Sequence, residues 1–242
     1  ARKLVSNFAK EERVNILLST VDWEMQENGS YRFFGFSVLV NPDGEIAGRY
    51  NKIFLIPFGE SIPGSSWFPS WAAWLREMIP NISEFEAGHE FTAMPIGDVK
   101  ISAPICFDGF SPEIIQKMVL NGANLIVLSG NLAWFGKSNA ADYLEMITRW
   151  RSLENRVPVV FATNSGYSSF WDATGQVLTK RMGLFEEGYL DAVIDLSTYN
   201  SWYREKSGWL IWICIILVML ALGYLITNRE KKTISQDGAS GL

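Results

Sequence analysis

The sequence predicts an α/β domain of stacked layers around a mixed sheet, followed by one membrane-spanning helix. Strand-like and helix-like runs alternate over positions 1–200, with hairpins among the strand–helix–strand units. Hydrophobic residues make up 48% of 242, enough to bury a sizeable core. Positions 209–226 read WLIWICIILVMLALGYLI without a charge. At about 1.5 Å per residue such a helix is about 27 Å long, close to the hydrocarbon thickness of a bilayer.

The elements follow in order. Positions 3–13 carry amphipathic helical spacing, and 14–22 form an apolar strand. A second strand over 33–40 closes at the turn Asn41-Pro42-Asp43-Gly44, and 46–50 returns antiparallel to it. Positions 91–96 and 99–105 pair across Gly97-Asp98. A helix over 112–121 has Ser111 as N-cap and Pro112 in its first turn. A short buried strand over 125–129, a long helix over 140–156 and a strand over 158–163 follow. Positions 167–171 and 177–179 read as a hairpin around Asp172-Ala173-Thr174-Gly175, and 188–196 as a last strand. The Trp-rich stretch 64–80 stands apart. A helix from Pro69 would place Trp71, Trp74, Leu75 and Met78 on one face, either as a core insert or as an aromatic arm in the membrane interface.

Around the apolar span, Trp209, Trp212 and Tyr224 lie toward the ends, where interfacial aromatics belong. Arg229, Lys231 and Lys232 favour a cytoplasmic C-terminus, against Arg204 and Lys206 on the other flank. Positions 233–242 read as a loose polar tail. The chain starts Ala1-Arg2-Lys3 without a Met or a signal peptide, so residue 1 is not expected to be the native start.

Charge and cysteine usage narrow the chemistry. The net charge of −5 argues against a general nucleic-acid binder. One His and two Cys argue against a zinc site and against any triad that needs His as base. His89 sits in a charged stretch and reads as a solvated loop residue. Cys214 lies inside the span, which leaves Cys106 as a free thiol. Cys106 follows an apolar strand and precedes the helix at Pro112, a place where a nucleophile is exposed and the helix dipole favours thiolate. The alternative is a small buried hydrophobe. Lys52 at a strand end and Glu60 in a Pro- and Gly-bounded loop are the candidate electrophile and base; singly, each reads more often as a surface charge than as a catalyst.

Taken together, YNKIFLIPFGESIP (50–63), Cys106-Phe107-Asp108, Asn131-Leu132-Ala133-Trp134-Phe135-Gly136 and Arg151-Ser152-Leu153-Glu154 resemble the nitrilase (carbon–nitrogen hydrolase) superfamily. Within it they look like the apolipoprotein N-acyltransferase branch, as does the exit Tyr203, Arg204, Gly208, Trp209 into an apolar helix. The resemblance covers about positions 14–228. It implies an αββα sandwich, four-layered on self-association, and a Glu-Lys-Cys triad without metal or cofactor. Cys106 matches the nucleophile, Lys52 the lysine and Glu60 an additional glutamate; the triad's first glutamate and a bundle of membrane helices would lie upstream of residue 1. Phe107, Asp108, Asn131, Trp134 and Phe135 fall at substrate-facing positions of the matched motifs. Where the branch reads Cys-Tyr-Glu and Ser-Asn-Asp, this chain has Cys106-Phe107-Asp108 and Gly130-Asn131-Leu132.

The resemblance further implies a catalytic domain over 1–203 on the periplasmic face of a bacterial inner membrane, a membrane helix over 204–228 and a cytoplasmic tail over 229–242. Its partners would be a phospholipid acyl donor, a diacylglyceryl-cysteine apolipoprotein acceptor and the bilayer. Arg151 and Glu154 read as a structural ion pair. Two other readings remain open at this point: an amidase-type hydrolase using the same residues, and a binding paralogue with a decayed site.

Overall fold

A computed structural model describes residues 2–25, 31–65, 67–79, 85–196 and 199–237, with side chains up to Leu225 in the last helix. The chain divides into two units, residues 1–200 and 201–242.

The first unit opens with α1 (Arg2–Glu12), which lies against the strand β2 of an antiparallel three-stranded sheet ordered β1 (Ile16–Met25), β2 (Tyr31–Val40), β3 (Ile46–Asn51). The Asn41 side chain closes the β2–β3 turn by accepting the amides of Asp43 and Glu45. A second sheet runs β4 (Met94–Ile96), β5 (Val99–Ser102), β6 (Leu125–Gly130), β7 (Val159–Thr163), β8 (Ser169–Trp171). Its inner pairs β5–β6 and β6–β7 are parallel and its outer pairs antiparallel, the mixed sheet that the alternating pattern predicts.

The two sheets face each other. Alternation along β2 turns Ser37 and Leu39 toward the second sheet, where Ser37 Oγ donates to Ala103 O and Leu39 packs with Met94 and Ala103. Ser129 Oγ on β6 reaches Ser19 Oγ on β1 at 2.6 Å. Two helices cover the outer face of the second sheet. The apolar face of α3 (Pro112–Leu120) packs Ile114, Ile115, Met118 and Val119 onto Ile126 and Val159. The helix α4 (Ala140–Asn155) packs Ala141 and Leu144 onto Leu128 and Phe161. Ser111 caps α3 as its sequence implies, accepting the amide of Ile114 at 3.3 Å. The layers are therefore helix, sheet, sheet, helix, the expected αββα sandwich.

Three expectations change. Positions 188–196 form no strand and pair with neither sheet, and Tyr189 and Val193 are exposed. Positions 177–179 contribute only the bridge Trp171–Val177 in place of a full hairpin arm. The helix α2 (Pro69–Met78) forms from Pro69, but Leu75 joins Ala72 in packing on Ile62, while Trp71, Trp74 and Met78 turn outward.

The second unit is one helix, α5 (Trp202–Asp237). Trp202–Leu225 is long and apolar enough to cross a membrane, with a mean hydropathy of 2.4 and none of it buried. The helix continues to Asp237 where a loose tail is expected; residues 238–242 of that tail lie outside the described residues.

Candidate active site

Lys52 stands immediately after β3, with its amide bonded to Gly35 O on β2. Alternation makes residues 50 and 52 share a face, and both are buried, Tyr50 to 0% exposure and Lys52 to 2%. A buried ammonium needs a partner, and Glu60 supplies it: Nζ donates to both carboxylate oxygens at 2.6 Å. Glu60 is presented by a loop that closes on itself. Gly59, Glu60 and Ser61 all donate to Ile56 O, and the amide of Ile56 donates back to Glu60 Oε2 at 2.9 Å. The segment 85–88 backs this loop, Phe85 N–H bonding Glu60 O and Gly88 N–H bonding Lys52 O. A Cβ on Gly88 would sit 2.3 Å from Asn51 O, so only glycine lets the backbones approach this closely.

Cys106 begins a 3-10 turn, Cys106–Phe110, that follows the bridge Ile105–Ser129 at the C-terminal end of the parallel strands. Its φ of +50° places a non-glycine residue in the left-handed region, a conformation that persists only where the surroundings impose it. Gly109 permits the turn to pack flat, since a Cβ there would meet Leu128 at 2.5 Å. Burial pushes the Cys106 thiol up. Lys52 pulls it back, Glu60 opposes Lys52, the Phe107 amide bonds toward the sulfur, and the Asp108 charge adds a smaller upward push. The dipole argument predicts a thiol poised as thiolate, but the 3-10 turn and Ser111 stand between Cys106 and α3, and desolvation wins. The thiol therefore needs a base.

The Asp108 carboxylate lies beneath the turn, 0% exposed, and does not face the site's surface. Its oxygens are filled by four donors: Tyr50 Oη at 2.8 Å and Ile105 N–H at 2.9 Å on Oδ2, Phe54 N–H at 2.7 Å and Ile53 N–H at 3.2 Å on Oδ1. Burial raises its pKa, and the bonds from Phe54, Ile105 and Tyr50 resist that rise. Phe107 stacks on Phe54 and meets the tilted ring of Phe110, with centroids 6.4 and 4.6 Å away. Cys106 also borders a small apolar pocket walled by Phe110, Leu128, Leu132, Leu144 and Phe161, with room for about one water.

The other expected residues lie on the turn after β6. Asn131 Oδ1 accepts from Asn164 Nδ2 at 2.9 Å and from the Ala133 amide, and Asn164 Oδ1 accepts the Leu132 amide. Leu132 itself is buried against Gly166 and Phe161. Trp134 is 88% exposed, while Phe135 packs toward Leu128 and Leu144. Arg151 and Glu154 pair at 3.2 Å within α4. His89 is exposed, and among the described residues no cluster of His, Cys, Asp and Glu suits a metal ion. The structure thus brings Lys52, Glu60 and Cys106 together. It adds Tyr50, Phe54 and Asn164, which the motif reading passes over; Tyr50 alone has a signal, its two-residue spacing from Lys52 on one strand.

The sequence matches the Carbon-nitrogen hydrolase family over residues 2–204. The chain belongs to that family. Among its relatives, the apolipoprotein N-acyltransferase of Geobacter metallireducens is 29% identical over 211 residues, covering 87% of this chain and 39% of its own length. That of Bdellovibrio bacteriovorus is 33% identical over 205 residues, covering 82% and 36%. The chain thus spans less than half the length of either relative. The fold is shared with a carbon-nitrogen hydrolase from Helicobacter pylori (TM-score 0.62, 21% identity, 81% of this chain and 67% of that one). It is shared too with an amidase from Nesterenkonia sp. (TM-score 0.60, 18% identity, 85% and 68%).

Proposed function

We propose that this carbon–nitrogen hydrolase family member transfers an acyl chain from a phospholipid, through a thioester on Cys106, to the N-terminal amine of a diacylglyceryl-cysteine lipoprotein. The observation that carries the reading is the lysine–carboxylate pair beside a half-buried cysteine in a left-handed turn, in a chain that also holds a membrane-length helix. The names of the relatives support the acyl transfer. A Nesterenkonia amidase with acrylamide added to its active-site cysteine (TM-score 0.56, 18% identity, 76% of this chain and 64% of that one) supports the choice of nucleophile.

Cys106 gives its proton to a carboxylate base, the glutamate that the family resemblance puts upstream of this chain. The thiolate attacks the ester carbonyl, and the oxyanion develops toward Lys52 Nζ and the Phe107 amide. The C–O bond breaks, the proton passes to the leaving oxygen, and lysophospholipid departs. The acceptor amine then attacks the thioester, the C–S bond breaks, and the amine proton returns to sulfur as the amide forms. Glu60 holds Lys52 aimed throughout. Water must be kept from the thioester for an amide to result. Phe107, Asn131, Trp134 and Phe135 form the substrate side of the site, and the outward aromatics of α2 contact lipid. The catalytic domain (1–203) faces the periplasm, anchored by the inner-membrane helix (204–228), with the tail (229–242) in the cytoplasm as Arg229, Lys231 and Lys232 favour.

Full-length protein incubated with phospholipid vesicles and weighed intact tests this. A mass increase of one acyl chain, absent in Cys106→Ala, is expected. Free fatty acid without an adduct would instead mark a hydrolase, and no reaction a binding protein.

A further inference from the structure

Two neighbouring facts set the problem. Cys106 occupies a backbone conformation that a β-carbon disfavours, and Lys52, 54 positions earlier in the chain, follows a strand of the other sheet. Something must fix one against the other. The only side chain bonded to both segments in the described residues is Asp108: Oδ1 takes the amides of Ile53 and Phe54, directly after Lys52, and Oδ2 takes the amide of Ile105, directly before Cys106. A carboxylate can rotate about its own axis, so this tie holds only while its plane is set. Tyr50 sets it. Its ring is wholly buried in the α3 core with Ile115, Met118 and Val159, and its hydroxyl donates to Oδ2 at 2.8 Å.

We propose that Tyr50 is a positioning residue for the Cys106–Lys52 pair, its phenol locking the Asp108 carboxylate in the orientation that ties the lysine strand to the cysteine turn. The proposal rests on the reading of Lys52 and Cys106 as a working pair. A phenylalanine at this place would fill the same volume in the α3 core, so packing alone does not call for the hydroxyl. A buried carboxylate does, because each donor it loses raises the cost of its charge. The ionisable groups facing Asp108 are Tyr50 from β3, Lys52 beyond the end of β3 and Cys106 from its own turn, with Glu60 beyond Lys52.

The test is the pH dependence of Cys106 alkylation by iodoacetamide in the intact protein, read by mass spectrometry on the Cys106 peptide so that Cys214 does not interfere. Lys52 is the chief group lowering the thiol pKa, so loosening the pair moves the alkylation midpoint upward. Tyr50→Phe is expected to raise it by about half a unit or more and to slow alkylation at neutral pH several-fold. Lys52→Met calibrates the assay and is expected to raise the midpoint further. A shift in Lys52→Met with none in Tyr50→Phe would leave Tyr50 as a space-filling residue and overturn the proposal alone. No shift in Lys52→Met would overturn the reading of the pair, and the proposal with it. Wild-type protein gives a second measurement that does not depend on a variant folding. On acidification the amides of Ile53, Phe54 and Ile105 should lose hydrogen-exchange protection in one step, before the α3 amides; separate steps would overturn the tie.

Discussion

Around Asp108 the interior is polar, and along α2 the exterior is apolar. The two regions invert the ordinary partition of residues, and they do so for opposite reasons. Asp108, Lys52 and Tyr50 are almost wholly buried, and every charge among them is met: the carboxylate by four donors, the ammonium by both oxygens of Glu60. Such a cluster is stable only when complete, since removing one member strands the others in a medium that solvates them poorly. Just before α2 Trp67 is 83% exposed, and on α2 Trp74 is 50% and Trp71 43% exposed, with Trp71 and Trp74 stacked on each other at 5.2 Å without covering themselves. Folding gains little from these rings, so substituting them costs little stability. The contrast separates residues that carry the fold of the site from residues placed for something outside the chain.

That contrast can be broken by substitution. The largest effect is expected from Cys106→Ala, which should reduce acyl-adduct formation below detection while leaving thermal unfolding nearly unchanged. Next, Asp108→Ala leaves three backbone amides and a phenol without an acceptor; at about 1–3 kcal/mol for each buried orphan, the loss is about 4 kcal/mol or more. In detergent, unfolding should then start about 10 °C lower, as a loss of that size implies for a chain of this length. Third, Cys106 in the wild type should alkylate with a midpoint above the ordinary thiol value of about 8.5, because burial disfavours the thiolate. Glu60→Gln removes a charge that raises that pKa, so the midpoint should fall; a rise would mean that Glu60 acts chiefly by aiming Lys52. Fourth, Trp71→Ser with Trp74→Ser should change stability by about 1 kcal/mol or less, the scale of one lost aromatic pair, while vesicle co-flotation drops several-fold. A large stability loss would place α2 with the fold and not with the lipid. The smallest effect, about 0.5 kcal/mol or less, is expected for Trp134→Ala on stability, so a larger fall in turnover would report substrate contact.

Much of the fold follows from local signals. The Asn41 turn, the Ser111 cap and the uncharged run 209–226 each depend on neighbouring residues, and each forms. The last strand, 188–196, fails because alternation in one segment says nothing about whether a sheet edge is free to receive it. The candidate site divides the same way. Cys106, Lys52 and Glu60 are legible as motif residues, but Asp108 reads as a substrate-facing group when it is a buried brace, and Tyr50 does not stand out at all. Both errors concern direction and depth, which sequence spacing does not encode for a residue in a turn.

By itself, then, the sequence determined most of the element types and the residue kinds available for chemistry, since these follow from periodicity, caps and composition, while the αββα order came with the family resemblance. Only the tertiary structure decided that one buried carboxylate, Asp108, bonds both the backbone just after Lys52 and the backbone just before Cys106, and that desolvation outweighs the lysine at the sulfur. Burial and long-range hydrogen bonding depend on which segments meet, and that is settled by the packing of the two sheets.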